Sequence, residues 1–284
     1  MLRRVGMSPV GAARPERMPV RPAGGPPRSS PGPSPRAFPA PSPWPARWAE
    51  FVGTFLLVFA GTGAVVANEV SQGAVTHPGI ALTFGFVVMV LIYALGETSG
   101  AHFNPAVTVA FAAGGRFGWS KVPAYVLAQC GGALAASGLL RWLFPAATGL
   151  GATVPSGPAL QSLVFETVLT FFLMLVILQV SVGAKEKGIT AGLVIGATVG
   201  LEAMFAGPIC GASMNPARSL GPAVVGGRLE PLWIYWLGPL LGALLALPAH
   251  RMFRRPPAAH GGPEGPVGRG HPSAQAGARR RPRS

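Results

Sequence analysis

The hydrophobic pattern of the chain consists of long apolar runs separated by short polar connections. Six of these runs come close to or exceed the roughly 20 residues that a helix needs to cross a bilayer. They cover residues 48–68, 79–96, 121–143, 160–182, 188–206 and 231–250. The pattern predicts six transmembrane helices, and closely spaced small residues such as Gly192, Gly196 and Gly200 favour their tight packing.

Two further apolar stretches, 97–116 and 207–228, are too short and too interrupted to cross a membrane. Each contains Asn-Pro-Ala, at 104–106 and at 215–217. Asn is a favoured helix N-cap and Pro is favoured at the first helical position, so each motif is predicted to begin a short helix. Irregular backbone is tolerated at membrane depth only against protein or a water-filled cavity. We therefore expect two re-entrant half-helices that line a wet pore.

The chain repeats itself beyond these two motifs. EFVGTF, with Glu50, and ETVLTF, with Glu166, lie 116 residues apart, close to the 111 residues between Asn104 and Asn215. Each half has an odd number of crossings, so the second half must enter the membrane from the opposite side. The sequence thus predicts an all-α membrane protein with an inverted 3+3 repeat, repeat one at 47–143 and repeat two at 160–250. The positive dipole ends of both half-helices would meet at one point, repel cations and orient water.

Composition agrees with a membrane protein. Only 11% of the 284 residues are charged, whereas soluble domains carry about 25%. The net charge is +14, and eight of the 23 Lys and Arg residues lie in 1–49 and another eight in 250–284. Because these ends are rich in Pro, Gly, Ser and Arg, we expect disordered basic tails at 1–46 and 251–284 around a channel domain at 47–250. Without stacking aromatic residues on a folded surface, no nucleic-acid partner is expected.

The distribution of basic residues predicts the orientation in the membrane. Six crossings place both tails on one side, together with Arg116, Lys121, Lys185 and Lys187. The opposite connections, 69–78 and 144–159, contain no Lys or Arg. By the positive-inside rule, both termini are expected to be cytoplasmic in a multi-pass protein of a plasma or inner cell membrane, surrounded by lipid.

Catalytic and metal-binding patterns are missing from the sequence. The chain contains no Asp, and its nine Glu residues are scattered without a paired carboxylate, a Ser-His pair or a phosphate loop, so an enzyme is not expected. Cys130 and Cys210 both have apolar neighbours and are interpreted as small hydrophobic residues. His102 has no second His or Cys at ligand spacing, so we expect no metal and no cofactor.

At the two Asn-Pro-Ala motifs and at Arg218, the sequence resembles the major intrinsic protein family of aquaporins and aquaglyceroporins over residues 47–250. VPAYVLAQ, FETVLTFFLM and FAGPICGASMNPARSLGPA resemble its nodulin-like branch from plants and the bacterial relatives of that branch. The resemblance implies a homotetramer with one pore in each subunit. It also implies that the pore centre is formed by Asn104, Pro105, Ala106, Asn215, Pro216 and Ala217.

The same resemblance implies roles for residues around the pore. Carbonyl acceptors would come from Gly100, Ala101, His102, Gly211, Ala212 and Ser213. The outer constriction would be formed by Phe84, Ala203, Ala212 and Arg218. Strict water channels narrow it with a His at the position of Ala203, so two Ala residues here imply a wider mouth. Glu50 and Glu166 would hold the motif loops, although buried acids in membranes also suggest proton or ion sites.

These features predict a passive channel for water and small uncharged solutes such as glycerol and urea, extending to arsenite or boric acid, that excludes protons and ions. A strict water channel and, in another class, an ion-coupled secondary transporter are the alternatives. Three further side chains receive smaller assignments. His77 is interpreted as a solvated residue of an outer connection, Glu202 as a helix-packing residue paired with a donor, and Cys210 as either buried or open to mercurials.

Overall fold

The computed structural model describes residues 44–181 and 185–253, and for residues 185–189 it describes only the helical backbone. These residues form α-helices and one 3₁₀ turn, with no strand in the described ranges. The helices are α1 (Trp44–Val70), α2 (Thr76–Ser99), α3 (Pro105–Ala113), α4 (Val122–Leu143), α5 (Ala159–Val180), α6 (Lys185–Cys210), α7 (Pro216–Gly226) and α8 (Leu232–Phe253). The 3₁₀ turn, Trp119–Lys121, leads directly into α4.

Two classes of helix length are present. In the described part of the chain, six helices are long and apolar enough to cross a membrane, namely α1, α2, α4, α5, α6 and α8. The other two, α3 and α7, have 9 and 11 residues, or about 14 and 17 Å, which is about half of a hydrocarbon core of roughly 30 Å. The predicted all-α fold, with six spanning helices and two half-helices, is confirmed.

An even number of crossings puts both described ends on one side of the molecule. We call the side with Trp44 and Phe253 the terminal face, and the side with connections 71–75, 144–158 and 227–231 the opposite face. The loop before α3 follows α2 and therefore enters from the terminal face. The loop before α7 follows α6 and enters from the opposite face, as an inverted repeat requires.

The helical region is longer than the predicted channel domain. Helix α1 begins at Trp44 and α8 continues to Phe253. Residues 44–46 and 251–253, which were assigned to the disordered tails, are therefore helical, because helix formation there follows the adjacent apolar run rather than the Pro-rich composition. The remaining parts of the predicted tails, 1–43 and 254–284, lie outside the described residues.

Glycines bring the helix backbones into contact. Helix α1 packs on α4, α5 on α8 and α2 on α6. A Cβ atom at Gly132 would overlap the backbone of α1, and one at Gly242 would overlap that of α5. Gly85 of α2 and Gly196 of α6 also lie close together, since a Cβ at Gly85 would be 2.7 Å from the Gly196 carbonyl oxygen. This close packing of small residues is typical of membrane helices. The half-helix α3 packs on α8 and α4, and α7 packs on α4 and α8.

Candidate functional site

The two half-helices begin at a shared point, where each Asn side chain caps its own helix and reaches the other motif. The Asn104 Oδ1 atom accepts from the Ala106 N–H at 2.9 Å, and its Nδ2 donates to the Met214 carbonyl at 2.8 Å. Asn215 Oδ1 accepts from the Ala217 N–H at 3.0 Å, and its Nδ2 donates to the Phe103 carbonyl at 2.8 Å. Each amide therefore bonds the residue before the other Asn, which joins the two repeats reciprocally.

The loops before the half-helices share an unusual backbone conformation. Three corresponding residues in each have positive φ: Gly100 (87°), Ala101 (51°) and Phe103 (47°) in the first, and Gly211 (85°), Ala212 (40°) and Met214 (53°) in the second. This left-handed region is unfavourable for residues with a Cβ atom. Other contacts must therefore hold the non-glycine residues in place.

Glu50 supplies those contacts in the first loop. This side chain is fully buried, and its two oxygens accept from the His102 N–H at 3.0 Å and the Phe103 N–H at 2.7 Å. The Gln129 Nε2 atom donates to the same carboxylate at 2.7 Å and fixes its position. Because the N–H and C=O of a trans peptide point in opposite directions, the Ala101 and His102 carbonyls point away from Glu50.

Glu166 does the same for the second loop. It is also fully buried and accepts from the Ser213 N–H at 2.7 Å and the Met214 N–H at 2.8 Å. The carbonyls of Ala212 and Ser213 are thereby turned away from the carboxylate. Each acid thus accepts two backbone hydrogen bonds from the loop that precedes a half-helix.

A cavity of about 170 Å³ runs past the meeting point of the half-helices. One part of its wall comes from the loops, through Gly100, Ala101, His102, Asn104, Ala212, Ser213 and Asn215. Most of the rest is apolar and includes Leu57, Val88, Leu173, Ile177, Ile195 and Val199. Gly211 is an exception among the predicted carbonyl residues, since it packs against Thr153 and is not part of this wall. The cavity therefore has hydrogen-bonding groups on one wall and hydrocarbon on the other.

All members of the predicted constriction, Phe84, Ala203, Ala212 and Arg218, line this same cavity. The Arg218 Cζ atom lies 4.9 Å from the centroid of the Phe84 ring. Its Nη1 donates to the Gly151 carbonyl at 2.7 Å, and its Nε has no hydrogen-bond partner among the described residues. Gly151 was not singled out from the sequence, because it contributes only a backbone carbonyl from the 144–158 connection.

His102 is packed rather than exposed for metal binding. Its ring lies between the rings of Phe111, Phe117 and Tyr125, with centroids 4.8, 5.0 and 5.3 Å away. Its Nδ1 atom lies 3.1 Å from the Thr108 hydroxyl. Across the described part of the chain, no group of three His, Cys, Asp or Glu side chains could hold a metal ion.

The structure bears on each of the three smaller assignments. Glu202 is fully buried, but neither carboxyl oxygen has a hydrogen-bond partner among the described residues, so the expected donor is missing. Cys210 is fully buried outside the cavity, with its sulfur 3.4 Å from the Ala212 nitrogen, which favours the buried alternative. His77 is partly buried and bonds the Met204 carbonyl at 2.7 Å, so it is more than a solvated residue.

The geometry defines a class first: a multi-pass helical membrane protein with a lined passage between two half-helices. The family model for major intrinsic proteins matches residues 39–250, and the chain belongs to that family. It is 50% identical over 207 residues to aquaporin NIP1-1 of Zea mays, covering 72% of this chain and 73% of the maize protein. It is 51% identical over 197 residues to nodulin-26 of Glycine max, covering 69% and 73%.

A solved structure agrees with the fold. The aquaglyceroporin from Plasmodium falciparum superposes with a TM-score of 0.66 at 24% identity, over 74% of this chain and all of that chain. At this identity the comparison supports the architecture alone. The family match and the two plant relatives confirm the predicted family and its nodulin-like branch, and the solved structure confirms the predicted fold. Because the family is one of channels and not of enzymes, the prediction that the chain is not an enzyme is confirmed as well. Site roles, solutes and the homotetramer stay predictions.

Proposed function

We propose that the chain is a passive channel for water and small uncharged solutes, with glycerol and urea as the main candidates and arsenite and boric acid as further ones. The observation that supports this proposal is the composition of the constriction. Two of its four side chains, Ala203 and Ala212, are single methyl groups, while Phe84 presents a ring face and Arg218 a charged donor. Such an opening suits a solute that is wider than water and has both apolar and hydrogen-bonding surface.

The two walls of the cavity suit a neutral polyol. Along one wall, the carbonyls of Ala101, His102, Ala212 and Ser213 offer acceptors to hydroxyl groups. The opposite wall is hydrocarbon and contacts the carbon backbone of the solute. A neutral solute replaces its lost water contacts on the polar wall, whereas an ion loses hydration that the apolar wall does not return.

Cations and protons meet additional barriers. Arg218 places a fixed positive charge at the constriction, and the N-termini of α3 and α7 add about half a charge each at the meeting point. An amide NH₂ has two hydrogens, and Asn104 and Asn215 each use one on the other loop. The second hydrogen of each is available to a passing water oxygen, which would orient that water and interrupt proton transfer along a chain of waters.

The chain would work with its terminal face in the cytoplasm of a plasma or inner membrane. Large apolar side chains such as Leu127, Trp142 and Leu160 are exposed on the outside of the helix bundle, where they would contact lipid or neighbouring subunits of a homotetramer. The basic residues of 1–49 and 250–284 support this inward placement of the terminal face.

The experiment that tests the proposed function narrows the constriction. Ala203→His combined with Ala212→Cys should reduce glycerol permeability of proteoliposomes much more than water permeability, because the added atoms fill the space that only the larger solute needs. Water flux in the same vesicles controls for the amount of reconstituted protein. Equal loss of both fluxes would show that these residues do not set the size limit.

A further inference from the structure

The end of α6 contains a proline that disrupts its hydrogen bonding. Pro208 lies two residues before the last residue of the helix, Cys210. Proline has no backbone N–H, so the Met204 carbonyl, four residues earlier, cannot receive its usual helical hydrogen bond. Backbone acceptors inside a helix bundle in a membrane have little access to water and need another donor.

His77 provides that donor from a different helix. Its Nε2 atom lies 2.7 Å from the Met204 carbonyl oxygen. Since a carbonyl oxygen only accepts, the Nε2 atom must carry the hydrogen. Gly207 leaves space for the imidazole, because a Cβ atom at this position would lie 2.8 Å from His77 Cε1. Pro208 thus frees the carbonyl, Gly207 makes room and His77 completes the bond.

The neighbouring carbonyls at the end of α6 are also bound by side chains or loops outside the helix. Ser156 donates through its hydroxyl to the Pro208 carbonyl at 2.7 Å and through its N–H to the Ile209 carbonyl at 3.0 Å. The Tyr235 hydroxyl donates to the Cys210 carbonyl at 2.8 Å. The His77 hydrogen bond comes from α2 and, together with those from Ser156 and Tyr235, holds the end of α6 in place.

Two members of the constriction lie on the helices that this bond connects. Ala203 directly precedes Met204 on α6. Phe84 follows His77 by seven residues on α2, which puts both on the same face of that helix, two turns apart. The bond is therefore one of the contacts that set the distance between the backbones that carry Phe84 and Ala203, although His77 itself is not part of the cavity wall.

We propose that His77 is a positioning residue for solute selectivity: by donating to the Met204 carbonyl, it holds α6 at the distance from α2 that keeps the constriction open to solutes larger than water. This inference rests on the proposed function, because it assigns the size limit to the quartet that includes Phe84 and Ala203. His77 acts through the backbone of α6 and does not contact the permeating molecule.

Four variants test the proposal. His77→Phe keeps a ring and removes the donor, His77→Gln restores an amide donor of similar reach, and Pro208→Ala returns a backbone N–H to Met204. The double variant, His77→Phe with Pro208→Ala, has the helical donor in place of the imidazole. Two quantities are measured for each: the glycerol-to-water permeability ratio in proteoliposomes and the thermal unfolding midpoint in detergent.

We expect His77→Phe to lower the permeability ratio by about 2- to 10-fold, the range that loss of one neutral hydrogen bond gives, and to lower the midpoint. His77→Gln should restore both quantities, and adding His77→Phe to Pro208→Ala should change neither. If the His77 ring served only for packing, His77→Gln would not restore the permeability ratio or the midpoint. His77→Phe would then lower both quantities equally in the wild type and in Pro208→Ala.

The outcomes separate this inference from the proposed function. If vesicles with wild-type protein are no more permeable to water or glycerol than protein-free vesicles, the proposed function fails. The thermal unfolding midpoints of the four variants then still decide whether His77 and Pro208 are coupled. If the wild type conducts and His77→Phe keeps the wild-type ratio, the inference is overturned. If His77→Phe does not fold, recovery of folded protein by Pro208→Ala supports the inference, and failure to recover contradicts it.

Discussion

Two buried glutamates on neighbouring helices should respond very differently to the same substitution. Glu166 on α5 accepts from the Ser213 and Met214 N–H groups at 2.7 and 2.8 Å. A Gln at this position keeps one acceptor oxygen and presents an NH₂ group to the second N–H. Glu202 on α6 is equally buried, but neither of its oxygens has a hydrogen-bond partner among the described residues. Glu202→Gln is therefore a matched control that removes a buried acid without breaking such a bond.

The magnitude follows from the hydrogen bonds that are lost. A bond to a charged acceptor contributes about 1.5–3 kcal/mol, and a buried donor left without an acceptor costs about 1–3 kcal/mol. Glu166→Gln should thus lower the free energy of unfolding by about 2.5–6 kcal/mol. Glu202→Gln should stay within about 1 kcal/mol of wild type, because it breaks no hydrogen bond to the described residues and replaces one buried side chain by another of nearly the same size.

The assay is thermal unfolding of the purified protein in detergent, followed by water flux of each folded variant in proteoliposomes. We expect a much lower midpoint and reduced flux for Glu166→Gln, and wild-type behaviour for Glu202→Gln. Glu50→Gln should resemble Glu166→Gln, since Glu50 bonds the corresponding N–H groups of the first loop. Equal effects at Glu166 and Glu202, or no effect at Glu166, would refute the assignment of Glu166 as the acceptor that holds the second loop.

Two further predictions concern charge and thiol chemistry. Arg218→Ala should raise cation conductance about 5- to 150-fold, because a charge about 5 Å from a permeating cation repels it by about 1–3 kcal/mol. Arg218→Lys keeps the charge and should raise cation conductance far less. Equal conductance in the wild type and both variants would argue against an electrostatic barrier at this residue. Cys210 is buried outside the cavity, so mercurials should inhibit wild type and Cys210→Ser to the same extent in flux assays. Loss of inhibition in the Ser variant would place this thiol within reach of the pore.

Much of the fold could be predicted from the sequence because its signals are local. Long apolar runs mark the spanning helices, and an Asn followed by Pro marks each half-helix start, where both Asn side chains do cap the helix. Helix ends were less accurate. The first apolar run, for example, was expected to begin at 48, but α1 starts at Trp44 within Pro-rich sequence. Helix formation can extend this far because proline is well tolerated in the first turn of a helix.

The parts of the site that the sequence did not predict depend on contacts between distant residues. Gly151 acts through a carbonyl that any residue possesses, so no side-chain pattern marks it. His77 bonds a residue 127 positions away. Pro208 lies just beyond the predicted run 188–206 but inside α6, so the sequence did not show that the Met204 carbonyl would need a donor. Nor could it identify that donor, which depends on how α2 packs against α6.

The measurement that tests the central claim most directly is stopped-flow light scattering on proteoliposomes containing the wild-type protein, with water, glycerol, urea and arsenite compared against protein-free vesicles. If Ala203 and Ala212 leave the constriction open as proposed, water and at least glycerol should enter several-fold faster than in the protein-free control. Fast water entry with glycerol, urea and arsenite all at the protein-free rate would contradict the account and identify a strict water channel closed by other residues.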